Sequence, residues 1–350
     1  MSSLTPWPRR SKQTTCKHCY DAAAESSIAS TLARATTRLQ AAATPRLDAE
    51  LLLVHVLGLS RTDLYAHPER LLLAHQLVAY QSLLDRRAQG EPLPYLTGHI
   101  EFYGLDMAVN AHVLIPRPET ETLVDLALSK VKGLHSILSK VEGSHSILSK
   151  VEGPRSILSK VEGPRSILSK VEGRASLVDV GTGSGCIAIA LAVHAPQARI
   201  MALDLSSGAL DVARANAGRH GVADRITFFQ SDLLAALPKA VDLIVANPPY
   251  IAASEWPELP CEVREHEPQL ALGGGPDGLD VIRRLLEQAP AHLRPGGVLL
   301  VEIGAGQGAA AAHLARQLYP AADVAIQPDL AGRDRVLCVE TQRRESDKGP

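Results

Sequence analysis

The chain has 350 residues, 45% of them hydrophobic, and a net charge of −2. It is apolar enough for an ordinary packed core and long enough for two domains, and the near-neutral balance excludes a strongly basic surface built for a polyanion such as DNA. No apolar run reaches the roughly 18 residues needed to span a bilayer, and residues 1–20 lack the apolar core of a signal peptide, so a cytoplasmic protein without a membrane partner is expected.

Cys16-Lys17-His18-Cys19 is a single C-x-x-C with no second ligand pair at zinc spacing, and the remaining cysteines, Cys186, Cys261 and Cys338, are scattered. Neither a disulfide framework nor a metal site follows. Residues 1–26 read as a disordered extension.

Residues 27–97 alternate leucine- and alanine-rich stretches with short breaks. Apolar positions such as Leu51, Leu52, Val54 and Leu59 recur near helical spacing, and Pro45, Gly58 and Pro68 punctuate three or four helices, over 28–39, 48–57 and 69–87. A small helical domain follows. Residues 98–128 then read as a hairpin and a linker helix. Gly98 and Gly104 interrupt Phe102, Tyr103 and Val109, and Pro116 and Pro118 force an extended approach to an apolar helix over 123–128. Glu119 and Glu121 sit in its first turn, where the helix dipole favours them.

A decapeptide array fills residues 129–174. Ser136-Ile137-Leu138-Ser139-Lys140-Val141-Glu142-Gly143 recurs from Ser146, Ser156 and Ser166. A period of ten matches no familiar solenoid, and each unit closes on glycine, so the array reads as a duplicated surface linker.

Residues 175–341 change to short apolar runs alternating with helices, with a tail over 342–350. Strands are expected over 177–180, 199–203, 226–229, 241–246 and 298–303, and helices over 186–193, 206–219 and 278–293. Apolar segments at 324–326 and 336–339 form a closing antiparallel pair. Such alternation predicts an α/β fold, a mostly parallel sheet with helices on both faces.

The chemistry gathers at the ends of these strands. Asp179-Val180-Gly181-Thr182-Gly183-Ser184-Gly185 follows the first strand and opens a helix, where glycines let the backbone approach a nucleotide-like ligand. A dinucleotide turn would place glycine at 186, where this chain has Cys186. The acid ahead of the glycines suits a ligand with a cationic amino-acid moiety. Asp204 ends the second strand, placed to accept both hydroxyls of a ribose or to cap the next helix. Asp232 and Leu233 follow the third strand, placed for an adenine amino group and ring face, or for an ordinary helix start.

Asn247-Pro248-Pro249-Tyr250 ends the apolar fourth strand. Two prolines stop the strand and hold the chain extended, which presents the Asn247 amide oxygen and the Pro248 carbonyl as paired acceptors for one planar NH2 group. Tyr250 lies flat on such a group and excludes water. An amide or exocyclic amine is a poor nucleophile, so what it needs is orientation and electrostatic help. The 13 histidines show no H-E-x-x-H or similar spacing.

With these residues in this order, and with the segment from Leu114 to Glu121 resembling a family linker, the sequence resembles the bacterial peptide chain release factor glutamine methyltransferases, the HemK/PrmC family. The resemblance implies a Rossmann-like class I methyltransferase domain with a seven-stranded, mostly parallel sheet, and a small N-terminal helical domain for substrate recognition. It implies S-adenosyl-L-methionine as cofactor, held by Gly181, Thr182, Gly183, Ser184, Gly185, Asp204, Asp232, Leu233 and Asn247. Asn247, Pro248, Pro249 and Tyr250 would hold the substrate glutamine of the Gly-Gly-Gln loop in release factors, with Asn247, Pro248 and Tyr250 catalytic. Leu233 departs from the aromatic residue often present there. The alternatives are a glutamine methyltransferase of a ribosomal protein, a DNA adenine N6-methyltransferase, and a cofactor-binding scaffold without activity. Adenine offers a similar NH2 to the same motif, but the sequence has neither a target-recognition insertion nor a basic groove, so no direct nucleic-acid partner is expected.

Overall fold

The computed structural model describes residues 26–133 and 175–342. The extension with Cys16 and Cys19, nearly all of the decapeptide array and most of the tail lie outside the described residues. The chain divides into two compact units, one ending at Thr97 and one beginning at Gly98.

The first unit holds helices Ile28–Arg38, Pro45–Leu57, Arg61–Ala66, Ala74–Ala88 and Leu93–Thr97. Ser27 caps the first helix, Pro45 takes the first-turn position of the second, and Gly58 ends that helix in the left-handed conformation. The fourth helix starts five residues later than the sequence pattern indicates. Residues before it are extended instead, with Leu71 bridged to Ser27. Ile28, Leu32, Leu52, Leu53, Tyr80 and Leu84 form its core. Two buried carboxylates are paired rather than bare: Asp48 takes Arg87 at 2.7 Å, and Glu50 takes Arg46, Arg61 and the Tyr65 hydroxyl.

The second unit opens with a hairpin of β1 (His99–Phe102) and β2 (Leu105–Ala108). Tyr103 and Gly104 in its turn both have positive φ, the geometry that matches strand twist in a two-residue hairpin. A helix follows over residues 120–133, longer than the 123–128 core that the sequence indicates, burying Leu123, Val124, Ala127 and Val131 at helical spacing.

The seven-stranded sheet runs β5-β4-β3-β6-β7-β9-β8. Strands β3 (Ser176–Val180), β4 (Arg199–Asp204), β5 (Ile226–Gln230), β6 (Val241–Ala246) and β7 (Leu293–Glu302) are mutually parallel. Strand β9 (Asp334–Glu340) is antiparallel both to β7 and to β8 (Asp323–Pro328). The seven-stranded, mostly parallel sheet that the resemblance implies is thus present. Alternate residues of one strand feed opposite cores, Leu243 and Val245 on one face, Ile244 and Ala246 on the other. That two-sided burial is why the strands read as predominantly apolar runs rather than as a strict alternation.

Two expected boundaries move. The helix expected over 278–293 is Asp280–Gln288 only, and a short 3-10 turn Ala289–Ala291 carries Pro290, whose missing N–H cannot continue the helical ladder. Strand β7 begins at Leu293 rather than 298, running through Pro295, Gly296 and Gly297 where the pairing register with β6 shifts. Strands β4 and β5 lie on one side of β3 while β6 lies on the other, so the chain reverses direction across the sheet between β3 and β6. In open α/β sheets ligands bind at the carboxyl ends of strands beside such a reversal.

Candidate active site

A cavity of about 270 Å³ sits at these strand ends, near the lower end of the roughly 300–1,000 Å³ common for small-molecule sites. Gly181, Thr182, Gly183, Ser184, Asp204, Asp232, Leu233, Asn247 and Pro249 all line it, together with Ser231 and the linker residues Leu114, Pro116, Arg117 and Thr120. Gly185, Pro248 and Tyr250 are not among its lining residues.

The glycine turn is built by its own hydrogen bonds. Gly181, Gly183 and Gly185 all have positive φ. The Gly181 and Thr182 N–H groups donate to the Leu203 carbonyl, and Gly183 N–H donates to Asp204 Oδ2 at 2.8 Å. Asp179, fully buried, braces the turn from beneath: its Oδ2 accepts from the Thr182 hydroxyl at 2.6 Å and from Ala188 N–H at 3.1 Å. A side chain at Gly185 would meet Ile189 Cδ1 at 3.0 Å and Ala213 Cβ at 3.1 Å. That glycine therefore serves the close packing of helix Cys186–His194 on helix Ser207–Arg219 rather than lining the cavity.

Asp204 is not the cap of the following helix. Ser206 is, accepting from Ala209 N–H. The Asp204 carboxylate spends one lone pair of each oxygen, on Gly183 and Ser206 N–H, and keeps the others. Burial raises its pKa in spite of these donors. Asp179 is pushed up to about 7, again by burial, and among the described residues its Oδ1 has no hydrogen-bond partner; nor does the buried Ser184 Oγ. The glycine-turn side of the cavity, with Ser184 Oγ unpartnered among the described residues and lone pairs left on Asp204, lacks hydrogen-bond donors and free positive charge, because the lining arginines Arg117 and Arg284 are paired with Glu267 and Asp232. A ligand with an ammonium, a sulfonium and a ribose diol supplies both, so the residues fit S-adenosylmethionine.

Leu233 has φ 50°, a left-handed conformation unusual for leucine. The Ser231 hydroxyl holds this turn, donating to the Leu233 carbonyl at 2.8 Å and accepting from Ala236 N–H. The neighbouring Asp232 carboxylate is engaged by Arg284 at 2.6 Å in a half-exposed pair at the rim.

At the end of β6, Asn247 Nδ2 donates to Thr120 Oγ1 at 3.2 Å. The Asn247 Oδ1 and the Pro248 carbonyl accept no hydrogen bond among the described residues. The Tyr250 hydroxyl points to Glu302 Oε1 at 3.5 Å and its carbonyl accepts from Gln307 Nε2, while burial pushes the phenol up to about 12. Glu302, at the end of β7, is buried; its carboxyl is raised to about 7, chiefly by that burial.

Sequence reasoning missed Thr120, Arg284, Glu267 and Glu302. Glu302 carried a signal, being the one acid in an apolar run from Val298 to Ile303. Thr120 and Glu267 carried none, because their partners are distant in sequence.

Residues 30–98 match the model of the PrmC N-terminal domain, and residues 162–258 that of the methyltransferase small domain. A release factor glutamine methyltransferase of Moorella thermoacetica is 42% identical over 302 residues, covering 86% of this chain and 92% of that protein. One from Chlorobaculum tepidum is 41% identical, with coverage of 85% and 91%. A solved release-factor-specific protein-(glutamine-N5) methyltransferase from Alicyclobacillus acidocaldarius is 25% identical, covering 67% of this chain and 99% of its own, with a TM-score of 0.35. With curated relatives of such identity matched over nine-tenths of their length, the chain belongs to the release factor glutamine methyltransferases, S-adenosylmethionine-dependent enzymes.

Proposed function

We propose that this chain methylates a protein substrate, at the side-chain amide nitrogen (N5) of the glutamine in the Gly-Gly-Gln loop of peptide chain release factors, in the cytoplasm and with no direct nucleic-acid partner. The observation that carries the reading is the state of Asn247. One Nδ2 hydrogen goes to Thr120, which turns the NH2 toward that residue and leaves Oδ1 free as an acceptor among the described residues. An acceptor beside the free Pro248 carbonyl suits an incoming NH2.

When bound, S-adenosylmethionine supplies an electrophilic methyl group on a sulfonium. Gly181 to Ser184 form the wall toward its amino-acid end, Asp204 accepts from the ribose hydroxyls through the lone pairs it retains, and Leu233 offers an apolar face to the adenine. Asp232 meets the adenine amino group only as far as its pairing with Arg284 allows.

The glutamine amide is weakly nucleophilic because its nitrogen lone pair is delocalised into the carbonyl. Asn247 Oδ1 and the Pro248 carbonyl accept its two N–H bonds, which fixes the nitrogen and favours a lone pair localised toward the methyl. One of those protons is lost to solvent once the nitrogen carries the methyl group. Pro249 and Tyr250 close the site against water, with Tyr250 anchored at its hydroxyl by Glu302. All of this is orientation, and no base has to remove a proton before transfer.

The test is radiolabelled methyl transfer to a release factor, to its loop Gln→Ala variant and to unmethylated duplex DNA. Label on the intact loop alone is expected, with Asn247→Ala lowering the rate about a hundredfold, roughly 3 kcal/mol. Label on DNA, or equal label on the loop variant, would overturn the substrate; full activity in Asn247→Ala would overturn the mechanism.

A further inference from the structure

Asn247 is useful as an acceptor only if its amide faces one way. Rotated by half a turn, it presents NH2 to the cavity and repels the NH2 it is to hold. Something must fix that choice, and a primary amide has no intrinsic preference.

The neighbours of Asn247 supply one. Thr120, 2% exposed, is its hydrogen-bond partner, and a hydroxyl has a single hydrogen to give. Since Thr120 Oγ1 accepts from Asn247 Nδ2, its own hydrogen is uncommitted to Asn247. Glu302, 1% exposed, follows Val301, which pairs with Ala246, so it ends β7 beside Asn247 at the end of β6, and it takes the Tyr250 hydroxyl on Oε1 at 3.5 Å; of the groups favouring its carboxylate the Thr120 hydroxyl is the strongest. Its Oε2 has no hydrogen-bond partner among the described residues. A carboxylate can only accept, so it draws the Thr120 hydrogen toward itself and leaves a lone pair for Asn247.

We propose that Glu302, acting through Thr120, is a positioning residue that sets the hydrogen-bond polarity of Asn247, and so restricts the site to substrates that present NH2. The inference rests on the reading of Asn247 as the acceptor for the substrate amide. It assigns Glu302 no contact with substrate and no proton transfer. A neutral amide at 302 can donate as well as accept. It can reverse the hydroxyl of Thr120 and with it the orientation of Asn247.

Protonation of Glu302 has the same consequence, so the relay is pH-sensitive. The groups facing Glu302 are Thr120 and Glu119 at the start of helix 120–133, Tyr250 after β6, Cys186 at the head of its helix and Arg335 on β9. Arg335 favours the carboxylate and Glu119 opposes it. Burial dominates both and places the carboxyl at about 7, where a modest change in pH alters its charge.

The experiment follows the Asn247 side-chain NH2 by nitrogen-15 NMR, assigned by its loss in Asn247→Asp, across pH 5.5–8.5, in wild type, Glu302→Gln, Thr120→Val and Thr120→Ser. Turnover on a release factor and cofactor affinity are measured on the same samples. In wild type the resonance should titrate near neutral pH. In Glu302→Gln and Thr120→Val that titration should vanish and turnover fall at least tenfold, with cofactor affinity within about threefold. Thr120→Ser, which keeps the hydroxyl, should retain both. A resonance indifferent to pH in wild type, or full turnover in Glu302→Gln, would overturn the proposal. If wild type labels no release factor, the substrate reading fails while the resonances still decide the relay.

Discussion

Glu267 ties the linker to the segment after β6: its side chain, 1% exposed, accepts the Arg117 guanidinium on Oε1 and Ile115 N–H on Oε2. Arg117 lines the cavity, so this one carboxylate positions part of the cavity wall. Glu267→Ala strands the Ile115 N–H and frees Arg117, which is about one-third exposed and recovers some hydration. The loss of stability should be about 2 kcal/mol, below the cost of breaking a fully buried pair. Urea denaturation measures it; an unchanged midpoint would show that the linker is held elsewhere.

Asp204→Ala removes an acceptor for the ribose and also releases Gly183 and Ser206 N–H. Cofactor affinity should fall by roughly 1.5–3 kcal/mol, the scale of hydrogen bonds to a charged group. Calorimetry on the folded variant decides. Unchanged affinity would leave Asp204 as a brace of the glycine turn alone.

Gly181 and Gly185 share a left-handed backbone but not their surroundings. A Cβ on Gly181 meets only the Asn247 carbonyl at 3.9 Å, whereas one on Gly185 is crowded from 3.0 Å by Ile189 and Ala213. Gly181→Ala should cost about 1 kcal/mol from backbone strain, and Gly185→Ala about 2–3 kcal/mol, with overpacking added. Equal losses of thermal stability in the two variants would refute the packing role of Gly185.

Asp179 and Glu302 both hold their protons to about 7 in the folded chain, far above the ordinary carboxyl range. Between that range and about 7 the folded state binds more protons than the unfolded one, so these two groups make stability fall as pH rises through the window. Asp179→Asn keeps an acceptor for Thr182 and Ala188 and removes one titration. Its melting temperature should decline less than that of wild type between pH 4.5 and 7.5. An equal or steeper decline would contradict the buried-acid assignment.

The sheet was legible because its strands are buried on both faces: Val241 to Ala246 is apolar except at Asp242 and is followed by Asn247 and a proline pair. The glycine turn, Asp204 and Asn247 were legible for a related reason, since each follows directly on such a run. The N-terminal half of β7 was hidden by Pro295, Gly296 and Gly297, which read as breakers until the register shift at its pairing with β6 accommodates them. The strained turn at Leu233 leaves no mark in a side-chain pattern. Asn247 and Thr120 stand 127 residues apart, and only the folded sheet brings them together. The same holds for Tyr250 and Glu302, which meet because β7 lies beside β6 in the sheet.

The most direct test of the central claim is mass spectrometry of the Gly-Gly-Gln peptide from release factors of cells with and without this chain. The account predicts that the loop glutamine carries one extra methyl group on its side-chain nitrogen when the chain is present, and none when it is absent or replaced by Asn247→Ala. An unmodified glutamine in both strains, or a methyl group that persists without the chain, would contradict it.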